Sequence, residues 1–236
     1  MRNVLTVTAR ELYSYFCSPM AYVVVCFFLG IISFIFALYI GSGRAEARME
    51  DLFHTMAFLS LMVAPVLTMG LIAQERNLGT IETLLTKPVT DLEVALGKFL
   101  AALVVFLFML GLTLIYPLIM EKYGDPDWGA ILMGYLGLVL AGAAFLAIGL
   151  FTSSLTSNQI AAAVLGLLIL LFFWLVGWLS YSVSQSLGDV MKHLSVYENL
   201  QDFEKGIFDT KPLFYFLSLA FYFLFLAVRS LESRRA

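Results

Sequence analysis

The side chains able to do chemistry are few, and they gather in one place. Gln74–Glu93 reads QERNLGTIETLLTKPVTDLE and carries most of the charge in the middle of a chain that is 61 % hydrophobic and 13 % charged. The motifs missing around it limit what that charge can do. A phosphate-binding loop needs G-x-x-x-x-G-K followed by Ser or Thr. Here Gly97-Lys98 is followed by Phe99, and Leu92 stands where the first glycine belongs. There is no H-E-x-x-H, no G-x-S-x-G and no Cys/His cluster. Cys17 and Cys26 show no metal-ligand spacing and no prospect of a disulfide, so they read as small apolar-compatible residues. The set of catalytic residues is empty, no metal site is expected, and an enzyme is the function class that fits least. A net charge of −3 selects no partner class, and nothing points to nucleic acid.

The elements that position this segment follow from the rest of the composition. A mean hydropathy of +0.91 is far from soluble domains, which are about 45–50 % apolar and about 25 % charged. About 20 apolar residues cross the hydrocarbon as a helix, whereas a barrel needs alternating runs of about ten. The runs here are long and unbroken, which predicts an all-α integral membrane protein, one domain over 1–236, with six spans at about 20–40, 55–73, 99–120, 128–151, 160–181 and 213–228. Pro65 falls inside the second. Trp128–Gly188 holds no Asp, Glu, Lys, Arg or His and breaks at Thr152–Gln159 into spans four and five. With the N-terminus inside, the cytoplasmic side collects Arg2, Arg10, Arg76, Lys87, Lys98, Arg229, Arg234 and Arg235. The outside collects Arg44, Arg48, Lys122, Lys192, Lys205 and Lys211. Loops richer in Lys and Arg face the cytoplasm, so both termini are expected there. The first apolar run starts too late and runs too long for a cleavable signal. None of these six spans contains Asp, Glu, Lys, Arg or His, and His54 stands just outside the second. Proton relays use titratable groups at membrane depth, so the chain has no evident drive of its own beyond sodium coordination by backbone carbonyls.

Before the first span, Leu5, Leu12 and Phe16 share a helical face with Val4 and Tyr15, as an interfacial helix would, and Pro19 turns the chain into the bilayer. The external loop 182–212 places Tyr197, Leu200, Phe203 and Ile207 at helical spacing, predicting one or two short amphipathic helices. Gly137 with Ala141, and Ala162 with Gly166, are small-xxx-small pairs that favour close helix packing. In the charged segment itself, Gly79 permits a turn, Thr80 is a helix N-cap, Glu82 lies in the first turn and Pro88 stops the helix. Thr90-Asp91-Leu92-Glu93 then forms a capping box opening the third span's helix. A short two-faced helix between spans two and three is expected. One face meets the membrane helices and the other a soluble partner.

The same residues carry a family likeness. QERNLGTIETLLTKPVTDLEVALGKFLAA resembles the cytoplasmic coupling segment of ABC-2 type permeases, a pattern E-R-x-x-G-T-x-E-x-L-L-x-x-P-V met by Glu75, Arg76, Gly79, Thr80, Glu82, Leu84, Leu85, Pro88 and Val89. ARELYSYFCSPMAYVV resembles the elbow helix and first span of that family. The C-terminal FEKGIFDTKPLFYFLSLAFYFLFLAVRSLESRR resembles the gliding-motility-type (GldF-like) branch. Gly70 and Gln74 stand where members of that branch often carry a basic and an acidic residue, which weakens the case for a charged lock between span two and the coupling helix.

The resemblance implies a permease subunit of an ATP-driven exporter or mechanical transducer in a bacterial inner membrane. It implies an elbow helix positioned by Arg10, Glu11 and Pro19. It also implies a coupling helix whose Glu75, Gly79, Thr80, Glu82, Leu85 and Pro88 engage a separate cytoplasmic ABC ATPase. ATP and Mg would sit on that ATPase, with no cofactor bound by this chain. The partners would be the ATPase, a second permease subunit, identical or related, and membrane lipid. Two other classes fit the residues alone: a self-contained channel or sodium-coupled carrier using the Asn158-Gln159 region, and a non-transporting scaffold working through loop 182–212.

Overall fold

The computed structural model describes residues 2–41, 49–79, 90–122, 124, 126–180 and 185–233. Among them, the regular elements are helices: α1 (Arg2–Cys17), α2 (Pro19–Gly41), α3 (Glu50–Thr68), α4 (Ala73–Asn77), α5 (Asp91–Leu112), α6 (Ile115–Met120), α7 (Trp128–Leu155), α8 (Gln159–Leu179), α9 (Gln185–Leu194), α10 (Val196–Glu204) and α11 (Thr210–Glu232). Six stretches are long and apolar enough to cross a membrane: Pro19–Gly41, Glu50–Asn77, Asp91–Met120, Trp128–Leu155, Gln159–Leu179 and Thr210–Glu232. Six such stretches were expected, and the bounds of the second and third are wider for local reasons. The second stretch starts at Glu50, whose carboxylate, with that of Asp51, lies in the first turn, where the helix dipole favours acids. The third starts at Asp91 because the capping box forms: Thr90 Oγ1 accepts from Glu93 N at 3.3 Å, and Glu93 Oε2 accepts from Thr90 N at 3.1 Å.

The break between α1 and α2 falls at Ser18, and Pro19 takes the first position of α2. Proline is tolerated there because that N–H has no helical partner to lose. Of the apolar face expected for α1, Leu5 and Phe16 point outward, 68 % and 45 % exposed, while Leu12 and Tyr15 pack on the core. The inward stripe is Val4, Thr8, Glu11 and Tyr15. It is chosen by a smooth seat on α5 at Gly97, where Thr8 Oγ1 donates to the Gly97 carbonyl at 3.1 Å.

α7 lies at the centre, against α3, α5, α8, α10 and α11. Its glycines are sockets. A side chain at Gly134 would meet the Phe53 ring, one at Gly142 the Phe106 ring, and one at Gly149 the Thr68 side chain. Bilayer helices lack a hydrophobic drive to associate, so such close fits carry the packing.

At the end away from the chain termini, α9 and α10 are the two short helices expected in loop 182–212. Ser195 caps α10 by accepting from Glu198 N at 3.3 Å. The buried face of α10 is Val196, Leu200 and Phe203. Ile207, expected on that face, is exposed because the helix ends at Glu204 and Gly206 turns the chain with φ +78°. The buried Glu204 carboxylate lies 3.5 Å from His54 Nδ1, tying α10 to the start of α3.

Candidate functional site

At the end of the bundle that carries both termini, three elements converge. α4 and the start of α5 flank the charged segment, and α1 lies across them. The capping box sets the phase of α5, so Asp91, Val94, Ala95, Lys98, Phe99 and Ala102 form one buried stripe. Lys98 is therefore turned inward, 1 % exposed. Its Nζ lies 2.9 Å from Glu75 Oε1 on α4 and 3.0 Å from Glu11 Oε1 on α1. Arg10 Nη2 meets the same two oxygens, at 2.7 Å from Glu11 and 3.1 Å from Glu75. Two cations and two carboxylates thus close a neutral square with one buried corner. Burial alone lowers the Arg10 pKa, but the hydrogen bond and charge of Glu11, followed by those of Glu75, outweigh it and hold the value above its ordinary one. Asn3 Nδ2 donates to Glu93 Oε2 at 3.2 Å and adds a second tie between α1 and α5.

The approach of α1 depends on Gly97. A Cβ there would lie 2.7 Å from Val7 Cγ1, 2.8 Å from Val7 Cβ and 3.1 Å from the Val4 carbonyl oxygen. Val7 is β-branched and stiff, so it cannot yield. Gly97→Val is expected to lift α1 off α5 at a cost of about 1–3 kcal/mol. Faster tryptic cleavage at Arg10 in detergent, with membrane insertion unchanged, is the readout.

Between α3 and α4 the chain forms a joint. Tyr15 Oη donates to the Leu67 carbonyl at 2.5 Å from the α1 side. Loss of water around that hydroxyl, and then the charge of Glu11, push its pKa well above the usual phenol range, so it remains a donor. From the other side, Ser153 Oγ on α7 donates to the Met69 carbonyl at 2.9 Å and accepts from Ile72 N and Ala73 N, both at 3.1 Å. Arg76 Nη1 donates to the Ser154 carbonyl at 2.5 Å, and Ser230 Oγ of α11 donates to the same oxygen at 3.2 Å.

The predicted site residues divide accordingly. Arg10, Glu11 and Glu75 come together. Pro19 stands apart, at the α1–α2 break. Gly79 adopts φ +69°, the left-handed region that suits glycine, and its N–H bonds the Arg76 carbonyl at 3.2 Å. There it follows the last turn of α4 as a left-handed stop; the helix expected to start at Thr80 falls outside the described residues. Thr80, Glu82, Leu85 and Pro88 lie outside the described residues. Asn158 caps α8 by accepting from Ile160 N at 2.9 Å and Ala161 N at 3.4 Å, which accounts for its residue type without a solute. The sequence reading placed Lys98 only among the cytoplasmic charges and missed its pairing, because a lysine at the start of an apolar run is expected to snorkel to the interface. Tyr15 was read as part of an apolar face and Ser153 as part of a break between spans. Among the described residues, no group of three or more His, Cys, Asp or Glu is placed to hold a metal.

A bundle of six membrane-crossing helices with a charge-clamped flank at one end defines a multi-pass membrane protein with its ionic contacts at a membrane face. Residues 31–205 match the model of the ABC-2 family transporter proteins, and the chain belongs to that family. Over 104 residues it is 30 % identical to the probable multidrug ABC transporter permease YbhR of Escherichia coli, a match covering 44 % of this chain and 28 % of YbhR. Over 110 residues it is 33 % identical to the inner membrane transport permease YhhJ of Escherichia coli, covering 47 % of this chain and 29 % of YhhJ. The match thus spans less than a third of the length of either relative.

Proposed function

We infer that this chain is the membrane-spanning permease subunit of an ATP-driven transporter, of exporter or mechanotransducing type, in a bacterial inner membrane with both termini in the cytoplasm. The observation that carries this reading is the charge square. Glu75 precedes segment 80–89 and Lys98 follows it; Lys98 binds both Glu75 and Glu11, and Arg10 bridges the same two carboxylates, so any push on the segment reaches α1, α3 and α5 together. On this reading α1 is the elbow helix, and 1–236 works as one transmembrane domain. Glu82 and Leu85 contact a cytoplasmic ABC ATPase, Thr80 and Pro88 delimit the contact, and Gly79 sets the turn before it. ATP and Mg are the ATPase's ligands, and a second permease chain completes the path. The C-terminal likeness supports the GldF-like branch, and the names of both relatives support transport.

The test is affinity purification from native membranes in mild detergent, with every co-purifying protein identified by mass. An ATPase with a phosphate-binding loop is expected with the wild type. Glu82→Lys reverses the charge at the proposed contact and should lower ATPase recovery by about tenfold or more, the scale of a lost charge-assisted contact, while the permease inserts normally. Recovery of this chain alone in several detergents would transfer the assignment to a channel or carrier. Unchanged recovery with Glu82→Lys would remove Glu82 from the contact.

A further inference from the structure

The second membrane-crossing stretch, Glu50–Asn77, is one helix held open near its end. In an uninterrupted helix the Ala73 N–H would bond the Met69 carbonyl, and Ile72 the Thr68 carbonyl. Ser153 Oγ occupies that place. It donates to Met69 O and accepts from Ala73 N, and it also takes Ile72 N. A side chain inserted into the ladder is a recognised cause of a sharp kink. This one comes from a different helix, α7, so the kink is also a link between helices. On the opposite side, Tyr15 Oη takes the Leu67 carbonyl, while Leu71 N turns to Thr68 O at 3.1 Å.

The two sides of the joint are packed differently. On the α7 side the Thr68 side chain fills the space over Gly149. On the α1 side a cavity of about 120 Å³ borders Val66, Leu67, Met69, Gly70, Leu71 and Tyr15 and leaves room for movement. The far arm of the joint is α4, which carries Glu75 of the charge square and Arg76, bound to the Ser154 carbonyl.

We propose that Met69–Ile72 is the hinge through which movement of segment 80–89 reaches α7, and that the Ser153 hydroxyl is its pivot, with Tyr15 steadying the α1 side. Both are positioning residues. This rests on the ATPase-driven reading above and deepens it. Sequence order links the segment to spans two and three, and the pivot adds span four. Through the Ser154 carbonyl shared with Ser230, it adds α11 as well.

Hydrogen–deuterium exchange on the complex of this chain with its ATPase tests the proposal, with and without trapping by ATP and vanadate. In the nucleotide-free state, Ser153→Ala should speed exchange at Ile72 and Ala73 by about tenfold, the scale of one buried hydrogen bond. In the wild type, trapping should alter exchange both in residues 69–79 and in the terminal turns of α7. In Ser153→Ala the response should persist in 69–79 and fall several-fold in α7, where the Arg76 bond to the Ser154 carbonyl remains. Tyr15→Phe, which keeps the ring, should leave the α7 response and reduce that of α1. An α7 response in Ser153→Ala equal to wild type overturns the pivot while leaving the ATPase reading intact. A wild-type complex that does not respond to trapping anywhere overturns that reading, and the hinge with it.

Discussion

Lys98→Met is expected to release α1 from the flanks of the charged segment while the six membrane helices remain inserted. Methionine fills a similar volume, so the change is in charge more than in packing. The ammonium it removes is 1 % exposed and shared by Glu11 and Glu75, which are 13 % and 21 % exposed. Without it, two carboxylates held close together keep the shared Arg10, which is half in solvent. Breaking a buried ion pair by deleting one partner costs about 3–5 kcal/mol. Because the carboxylates and Arg10 keep partial contact with water, the lower end, about 3 kcal/mol, is expected. The thermal midpoint in detergent should fall, and trypsin should reach Arg10 sooner. Lys98→Met combined with Glu75→Gln relieves the repulsion and should recover part of the loss. An unchanged midpoint and digestion rate in Lys98→Met would show that the square does not hold α1.

The other large effect is expected at the centre of the bundle. Gly142→Leu places a branched side chain where the Phe106 ring lies, and Phe106 is fully buried. Neither α5 nor α7 can give way, because α7 is also packed against α3, α8, α10 and α11. Overpacking costs about 1–3 kcal/mol and occasionally more, and this site belongs at the top of that range. The expected result is a several-fold drop in the yield of monodisperse protein. Gly111→Leu is the control, since a side chain there meets nothing within 4 Å, and it should be tolerated. Gly142→Leu with Phe106→Ala trades one volume for the other and should regain much of the yield. Good yield from Gly142→Leu alone would mean that α5 and α7 do not approach as closely as described. The Ala162–Gly166 pair reads differently. A side chain at Gly166 would come 3.0 Å from Thr152 Oγ1, a contact that a small shift relieves.

What could be read directly was whatever depends on neighbours in the chain. The hydrocarbon core demands about 20 apolar residues per helix, so the number of spans followed from run lengths alone. Pro19, the Thr90–Glu93 box and the turn at Gly79 are local devices, settled within three or four residues of themselves. The surface helices of loop 182–212 were legible by the same logic, and only the end of α10 was misplaced, because Gly206 stops it before Ile207. The ABC-2 family was legible from the motif around Glu75.

The tertiary structure decided the rest. Hydropathy grouped Leu5, Leu12 and Phe16 with Val4 and Tyr15 on one face of α1, and the contour of α5 at Gly97 decided that Val4 and Tyr15 turn inward with Thr8 and Glu11 while Leu5 and Phe16 stay exposed. Lys98 and Glu11 are 87 positions apart, and Ser153 and Ile72 are 81 apart. No periodicity within a segment encodes such pairings. A buried ammonium or hydroxyl settles where partners on other helices satisfy it, because leaving it unsatisfied costs more than any local preference can return. The clamp on the charged segment and the wedge in the second span therefore became visible only once the helices were packed against one another.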